Sequence, residues 1–292
     1  MRYRVSHDTE YLYSDTVSHC YNLACLVPRT SRRQRCISNR IVVEPTPASS
    51  SRRTDYFGNE VFQFEIQQPH QRLLIRSVSE VDTGPQYSAP QLDIGISCAD
   101  ARRQLDEART SDNLLAREFV FDSPMVKISD ALRDYAAPSF ADERSLLGAV
   151  MDLTRRIHNE FSYCPESTTI ATPLAEVLEK RRGVCQDFAH LQIGCLRAMG
   201  FAAKYVSGYI ETLPPPGKEK LVGSDASHAW ISVYSPAEGW VEFDPTNNCV
   251  VADQHVITAW GRDYYDVTPL RGVIFGGGDA PVLNVAVDVQ RL

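Results

Sequence analysis

Three short segments carry residue types that together could break an acyl bond. Gly183-Val184-Cys185-Gln186-Asp187-Phe188-Ala189-His190 offers a thiol where a helix should begin. Ser227-His228-Ala229-Trp230 sets an imidazole at the head of a strand-like apolar run, and Phe243-Asp244-Pro245-Thr246 closes another run with a carboxylate. A thiol nucleophile, a base and an acid that orients the base are the parts of covalent acyl transfer. The expected chemistry is attack on an amide carbonyl, with Cys185, His228 and Asp244 as a triad.

The physical chemistry of each position supports that assignment. A thiolate, not a thiol, is the nucleophile, and unpaired N–H groups in the first turn of a helix favour negative charge there, as does a neighbouring imidazolium. Gly183 would let the backbone turn tightly into the helix and leave room for substrate. His228 and Asp244 are 16 residues apart, a spacing that suits two antiparallel strands joined at Ser235-Pro236-Ala237-Glu238-Gly239. That hairpin would bring ring and carboxylate to one end of a sheet. Taken singly, each residue has a bland alternative: a structural thiol, a hydrogen-bonded core histidine, an Asp-Pro turn. Their joint occurrence at the ends of plausible elements is what favours catalysis. His190, five residues after Cys185, would point about 140° away from it around a helix and is read as structural. Asp187 is read as a first-turn charge at the helix N-terminus.

The elements that must position these groups form an α+β pattern. Residues 1 to about 84 read as short strands, including Arg2 to Tyr13, Ile37 to Val43, two runs around Gly58-Asn59, and Leu73 to Val81, which suggests a β-sandwich. A Gly/Pro/Ser-containing stretch follows at 82–90, and a two-domain division at 1–90 and 91–292 is expected. Ser145 to Phe161 then has a helical stripe of Leu146, Leu147, Val150, Met151, Thr154, Ile157 and Phe161. A second helix runs from Pro173 to Lys180 with Gly183 expected after its end, and a third from about Cys185 to Met199 with Gly200 as its stop. Strand-like runs follow at 203–210, 228–234 and 240–243, with the triple proline 214–216 in a loop between the first two. Val282 to Val289 could pair as a closing strand.

Composition narrows the function classes. The 292 residues carry a net charge of −7, with 43% hydrophobic and 23% charged residues, as in a globular protein with a sizeable core. The acidic balance argues against nucleic acid or an anionic membrane as partner. The basic run 29–35 lacks interleaved aromatics and reads as a solvated loop. No segment approaches 18 consecutive apolar residues and no signal-peptide core is present, so a cytoplasmic location is expected. Eight cysteines are scattered without a CxxC pair, which argues against a zinc site and a disulfide framework. No metal and no cofactor is expected.

At the same residues the sequence resembles the transglutaminase-like superfamily, specifically the bacterial two-domain type with a β-rich N-terminal domain. The resemblance rests on Phe161-Ser162-Tyr163, the segment 183–190, Arg197-Ala198-Met199-Gly200, Tyr205 to Tyr209, Ser227 to Trp230, Gly239 to Thr246 and Gly261 to Val267. It implies a papain-like core in which a thioester forms and is resolved by water or by an amine. It also implies an oxyanion hole built from the Cys185 N–H and a side-chain donor, for which Tyr163 and Gln186 are the candidates. The expected partner is a peptide or protein substrate. The expected activity is that of a protease or amidase; amine-dependent cross-linking and a catalytically silent peptide-binding module are the alternatives. No carboxylate-dense loop resembling a calcium site is visible, so calcium activation is not expected.

Overall fold

The computed structural model describes residues 1–84, 90–165, 167–212 and 227–292. The triple-proline segment at 214–216 lies outside the described residues. In chain order the elements are strands β1 (Arg2–Ala24), β2 (Arg35–Glu44), β3 (Ser49–Thr54), β4 (Glu60–Ile66) and β5 (His70–Asp82), then helices α1 (Cys98–Glu107), α2 (Ser111–Ala116), α3 (Asp130–Ala136) and α4 (Leu146–Glu160). Next come β6 (Ser162–Tyr163), α5 (Leu174–Lys180), β7 (Arg182–Gly183), α6 (Cys185–Ala198), β8 (Ala203–Ile210), β9 (Ser227–Ser235), β10 (Gly239–Asp244), β11 (Cys249–Val250) and β12 (His255–Gly261). Helix α7 (Tyr264–Val267) and strands β13 (Leu270–Gly276) and β14 (Val282–Arg291) complete the chain.

The N-terminal strands are organised by β1, which at 23 residues is long enough to change neighbours along its length. Its first half lies between β5 and β14, its second between β4 and β13, with the register shifting between Leu12 and Val17. The strands expected here as a sandwich are therefore hydrogen-bonded through β1 into one seven-stranded sheet. The last two strands belong to it, so residues 270–291 return to the N-terminal sheet and a cut at residue 90 does not separate the two sheets' strands. Alternation along β1 buries Tyr3 and Val5, which join Val81, Val287 and Val289 and also Tyr209 of β8 and Val256 of β12 in one apolar cluster. The two sheets thus share a core.

The second sheet has the order β11-β10-β9-β8-β12, antiparallel throughout. One face carries Ala229, Ile231 and Val233, which pack with Phe188, Leu191 and Cys195 of α6. The opposite face carries Trp230 with Val206 and Ile257. Helix α6 is buried all round from Asp187 to Ala198, not along a single stripe as its sequence suggests. Helices α3, α4 and α5 cover the sides that the sheet does not. Its buried polar residues are accordingly paired: Gln192 donates to Thr154 Oγ1 at 2.7 Å, and Arg197 donates to the carbonyls of Phe119, Ala203 and Arg262. Helix α5 ends with Arg181 in the left-handed region (φ 53°), while the glycine expected after its end, Gly183, instead lies in β7.

The edge of the second sheet at β12 is closed by side chains from the N-terminal region. Gln34 donates to the carbonyl of Ile257 and accepts from its N–H, both at 2.7 Å. Asn59 does the same for Trp260, at 2.9 and 3.0 Å. Both amides are buried, Gln34 to 3% and Asn59 to 0% exposure. Each imitates a strand partner and satisfies backbone groups that an open edge would leave unpaired. Replacing Gln34 with Leu, or Asn59 with Ala, is expected to lower stability by about 1–3 kcal/mol each, because buried backbone polar groups lose their partners. Chemical denaturation of the two variants reads this directly; a change below a few tenths would show that the edge tolerates being open.

Candidate active site

Cys185 opens α6 and is half-buried. The turn into the helix is fixed by Asp187, whose Oδ2 accepts from the Val184 N–H at 2.8 Å and from Thr168 Oγ1 at 2.6 Å. A Cβ on Gly183 would lie 2.8 Å from the Asp187 side chain, so the room that glycine leaves is filled by this carboxylate. Burial raises the Asp187 pKa, and the two hydrogen bonds act in the opposite direction. Just ahead of the nucleophile, β7 pairs in parallel with β6, placing Tyr163 against Gly183.

His228 and Asp244 meet at the end of the β9–β10 hairpin. The register pairs Phe243 with Ile231, which makes the two residues diagonal neighbours on one face of the sheet. His228 Nε2 lies 2.7 Å from Asp244 Oδ2, and since a carboxylate only accepts, Nε2 is the donor. Cys185 lies near enough to His228 to help raise the pKa of its ring. With Nε2 committed to Asp244, Nδ1 is the ring nitrogen left for the sulfur. The structure therefore joins His228 to Asp244 and leaves Cys185 in the electrostatic neighbourhood of the ring.

Asp244 is fully buried and has five donors. Thr246 and Asn247 donate their backbone N–H groups to Oδ1 at 2.9 and 3.1 Å. The Asn247 side chain donates to Oδ2 at 2.7 Å, and His255 Nε2 reaches the same oxygen at 3.1 Å. Burial alone would raise the carboxyl pKa, but hydrogen bonds from His228 and His255 and their charge hold it well below the usual carboxylate range. For His228 the balance runs the other way. Burial opposes its charge, but hydrogen bonds to Asp244 and Cys185 and their Coulombic attraction raise its pKa to about 10.

Two further features shape the pocket. Gly208 faces His228 in the β8–β9 register, and a Cβ there would meet the Val256 carbonyl at 2.1 Å and the Trp230 ring at 2.5 Å. Only glycine permits this close approach behind the imidazole. Trp230, itself fully buried, lies 5.8 Å from the His228 ring and 5.1 Å from that of His255.

The remaining candidates are placed as follows. Tyr163 is 56% exposed; burial and then the charges of Cys185 and Asp187 push its hydroxyl pKa up, which puts it in the electrostatic reach of the sulfur. Gln186 is half-buried in the first turn of α6. His190 is buried away from solvent, accepts the Tyr264 N–H at 3.1 Å and is held to a pKa of about 4 by burial. Sequence reasoning missed His255. The signal was present, because His255-Val256-Ile257-Thr258-Ala259-Trp260 repeats the pattern of a histidine heading an apolar run that singled out His228. Among the described residues, His228, Asp244 and His255 also form the group of His, Cys, Asp or Glu able to hold a metal ion, with ligand atoms within 4.8 Å of one another. Those atoms are engaged in mutual hydrogen bonds, and a metal would have to replace both imidazole protons.

Because the folded-state pKa of His228 lies above its ordinary 6.5, protonation stabilises the fold fully below about 6.5, and this is lost as pH rises through about 10. An NMR titration of the ring should accordingly show an imidazolium persisting far above neutrality, and Asp244→Asn should bring its midpoint down toward the ordinary value. A wild-type midpoint near 6.5 would contradict the electrostatics described here.

Comparisons with known proteins show what the chain resembles. Residues 3–82 match the family described as the bacterial transglutaminase-like N-terminal region, and residues 133–245 match the transglutaminase-like superfamily. An uncharacterised protein of Mycobacterium tuberculosis is 46% identical over 294 residues, covering 99% of this chain and 92% of its own. A protein-glutamine gamma-glutamyltransferase of Pseudomonas aeruginosa is 33% identical over 119 residues, 40% of this chain and 18% of its own. The crystal structure of a proposed cysteine protease from Cytophaga hutchinsonii superposes with a TM-score of 0.75 at 22% identity, covering 99% of this chain and 90% of that one. Among the described residues, no helix is long and apolar enough to cross a membrane.

Proposed function

The chain belongs to the transglutaminase-like superfamily, and from that premise we propose that it is a cysteine enzyme cleaving peptide or side-chain amide bonds through a thioester. The observation that carries this is the 2.7 Å bond between His228 and the buried Asp244, in a histidine whose pKa is also raised by the nearby Cys185. Cys185 and His228 act as a thiolate–imidazolium pair. The sulfur adds to the amide carbonyl, and the oxyanion that forms is met by the Cys185 N–H with Tyr163 or Gln186 as second donor. His228 gives its proton to the departing amine or ammonia as the C–N bond breaks, leaving the thioester. It then takes a proton from water, whose oxygen attacks the thioester carbonyl and releases the carboxylate and the thiolate. Asp244 keeps the ring oriented and offsets its charge through both steps.

The substrate is a peptide or protein, and a reducing cytoplasm suits a thiol site in a chain with eight free cysteines. The core that presents the triad is read as papain-like, and the two halves of the β1-centred sheet as the layers of a β-sandwich. A second resolution of the thioester, by a primary amine, is favoured by one observation: 119 residues are 33% identical to a relative named as a protein-glutamine gamma-glutamyltransferase.

Cys185→Ala should abolish release of ammonia or new termini from a peptide library while leaving the unfolding transition within about 1 kcal/mol of wild type, since the residue is only half-buried. Undiminished turnover in that variant would rule the mechanism out. Incubating glutamine peptides with a labelled primary amine separates the two resolutions: incorporation means transfer, while cleavage or ammonia without label means hydrolysis.

A further inference from the structure

We propose that His255 is a positioning residue of the triad: from β12 it donates through Nε2 to Asp244 Oδ2 and fixes the carboxylate plane that orients His228. The proposal rests on the cysteine-enzyme reading of the same site for its catalytic meaning, but its geometry is tested independently of turnover.

Three observations support it. The first is the shared acceptor. Oδ1 is tied to the turn by two backbone N–H groups, so the orientation of the carboxylate depends on what holds Oδ2. Besides the Asn247 side chain at 2.7 Å, His228 and His255 reach that oxygen at 2.7 and 3.1 Å, from strands that are not neighbours in the sheet, so His255 is the holder that comes from outside the β9–β10 hairpin and its turn. The sheet has to curl for this to happen, and a contact across a curled sheet locks the position of β12 to that of the β9–β10 hairpin.

The second is the other side of the ring. His255 Nδ1 is buried and has no hydrogen-bond partner among the described residues. A histidine used merely to fill space would be poorly chosen, since an apolar residue of similar size leaves no orphaned nitrogen. The unpartnered atom is intelligible if Nε2 does a job no apolar side chain can do. It also fixes the tautomer, because Nε2 must carry the proton it donates to the carboxylate.

The third is the anchoring of β12 itself. Gln34 and Asn59 clamp its backbone at Ile257 and Trp260. Trp230, edge-on to the His255 ring at 5.1 Å, blocks its rotation. The ring is thus held by a rigid element at both levels, as a group that orients another must be. The N-terminal region acquires a role in the chemistry through this strand: it steadies β12, β12 carries His255, and His255 steadies Asp244.

The test uses the full chain labelled with ¹⁵N-histidine, together with His255→Phe and His255→Gln. In wild type, His255 should be found in the Nε2–H tautomer with its proton shifted to low field beside that of His228. In His255→Phe, the low-field proton of His228 should broaden or move upfield. The rate of Cys185 modification by iodoacetamide, followed by mass spectrometry, should fall about tenfold, the loss expected when a hydrogen bond to a charged group is removed. In His255→Gln, whose amide nitrogen can occupy the place of Nε2, both the resonance and the rate should return to near wild type. An Nδ1–H tautomer in wild type would overturn the proposal. So would a folded His255→Phe with unchanged resonance and rate, or a folded His255→Gln as impaired as His255→Phe. If His255→Phe does not fold, the wild-type tautomer and the His255→Gln rate decide. Failure of the cysteine-enzyme reading would look different: wild-type Cys185 would react no faster than the other cysteines, whatever the state of His255.

Discussion

A carboxylate kept ionised in a dry place is the constraint on which the site depends. Asp244 has no solvent to stabilise its charge, and an unpaired buried carboxylate would simply take up a proton. Five donors prevent that, and they come from three parts of the fold. The turn after β10 supplies two backbone N–H groups and the Asn247 amide; the neighbouring strand supplies His228; the far strand supplies His255. Once the negative charge is fixed there, His228 holds its proton, and an imidazolium beside Cys185 is what a thiolate needs for company. In the proposed mechanism, the reactivity of the sulfur is therefore set two side chains away from it.

Holding those donors in place requires both sheets. The second sheet cannot bring β10 and β12 together unless it curls, and β12 is an edge that would otherwise present open backbone groups. The N-terminal region closes it with Gln34 and Asn59 and shares an apolar cluster with it through Tyr3, Val5, Tyr209 and Val256. His7 adds a buried polar tie, its Nδ1 lying 2.9 Å from the Tyr209 hydroxyl. The return of β13 and β14 to β1 fastens the end of the chain to its beginning. The β-rich region thus acts on the catalytic sheet as mechanical support, whatever else it contacts.

Much of this was legible in the sequence because the signals are local. A helix begins at Cys185 after a glycine, and the β9–β10 hairpin was readable from its Pro-Ala-Glu-Gly turn and the apolar runs on either side. The hairpin was enough to place ring and carboxylate side by side; that the thiol joins them was an expectation drawn from the order of the three segments and from the family resemblance. The register was legible only approximately: the pair is diagonal, which depends on where the strands pair and not on the spacing alone. What lay beyond the sequence is non-local. No periodicity reveals that Gln34 and Asn59 pair with residues more than 200 positions away, or that residues 270–291 rejoin β1. The all-round burial of α6 escaped the stripe pattern because Gln192 and Arg197 look like surface residues until their partners on other elements are known. His255 was overlooked for a related reason. Its pattern matched that of His228, but nothing local says that a strand on the opposite edge of the sheet bends back to the same carboxylate.

Most of the other thiols are removed from chemistry by burial. Burial raises Cys25, Cys98 and Cys249 to about 11 and Cys195 to about 12, so these are protonated and inert at neutral pH. The central claim of the proposed mechanism is that His228, held charged by Asp244, pairs with a Cys185 thiolate. It is tested most directly by the ultraviolet thiolate band in the difference spectrum between the wild-type protein and Cys185→Ser, recorded below neutral pH. The account predicts a clear band that disappears when His228 is replaced by Phe. A difference spectrum without that band, or a band indifferent to His228, would contradict it.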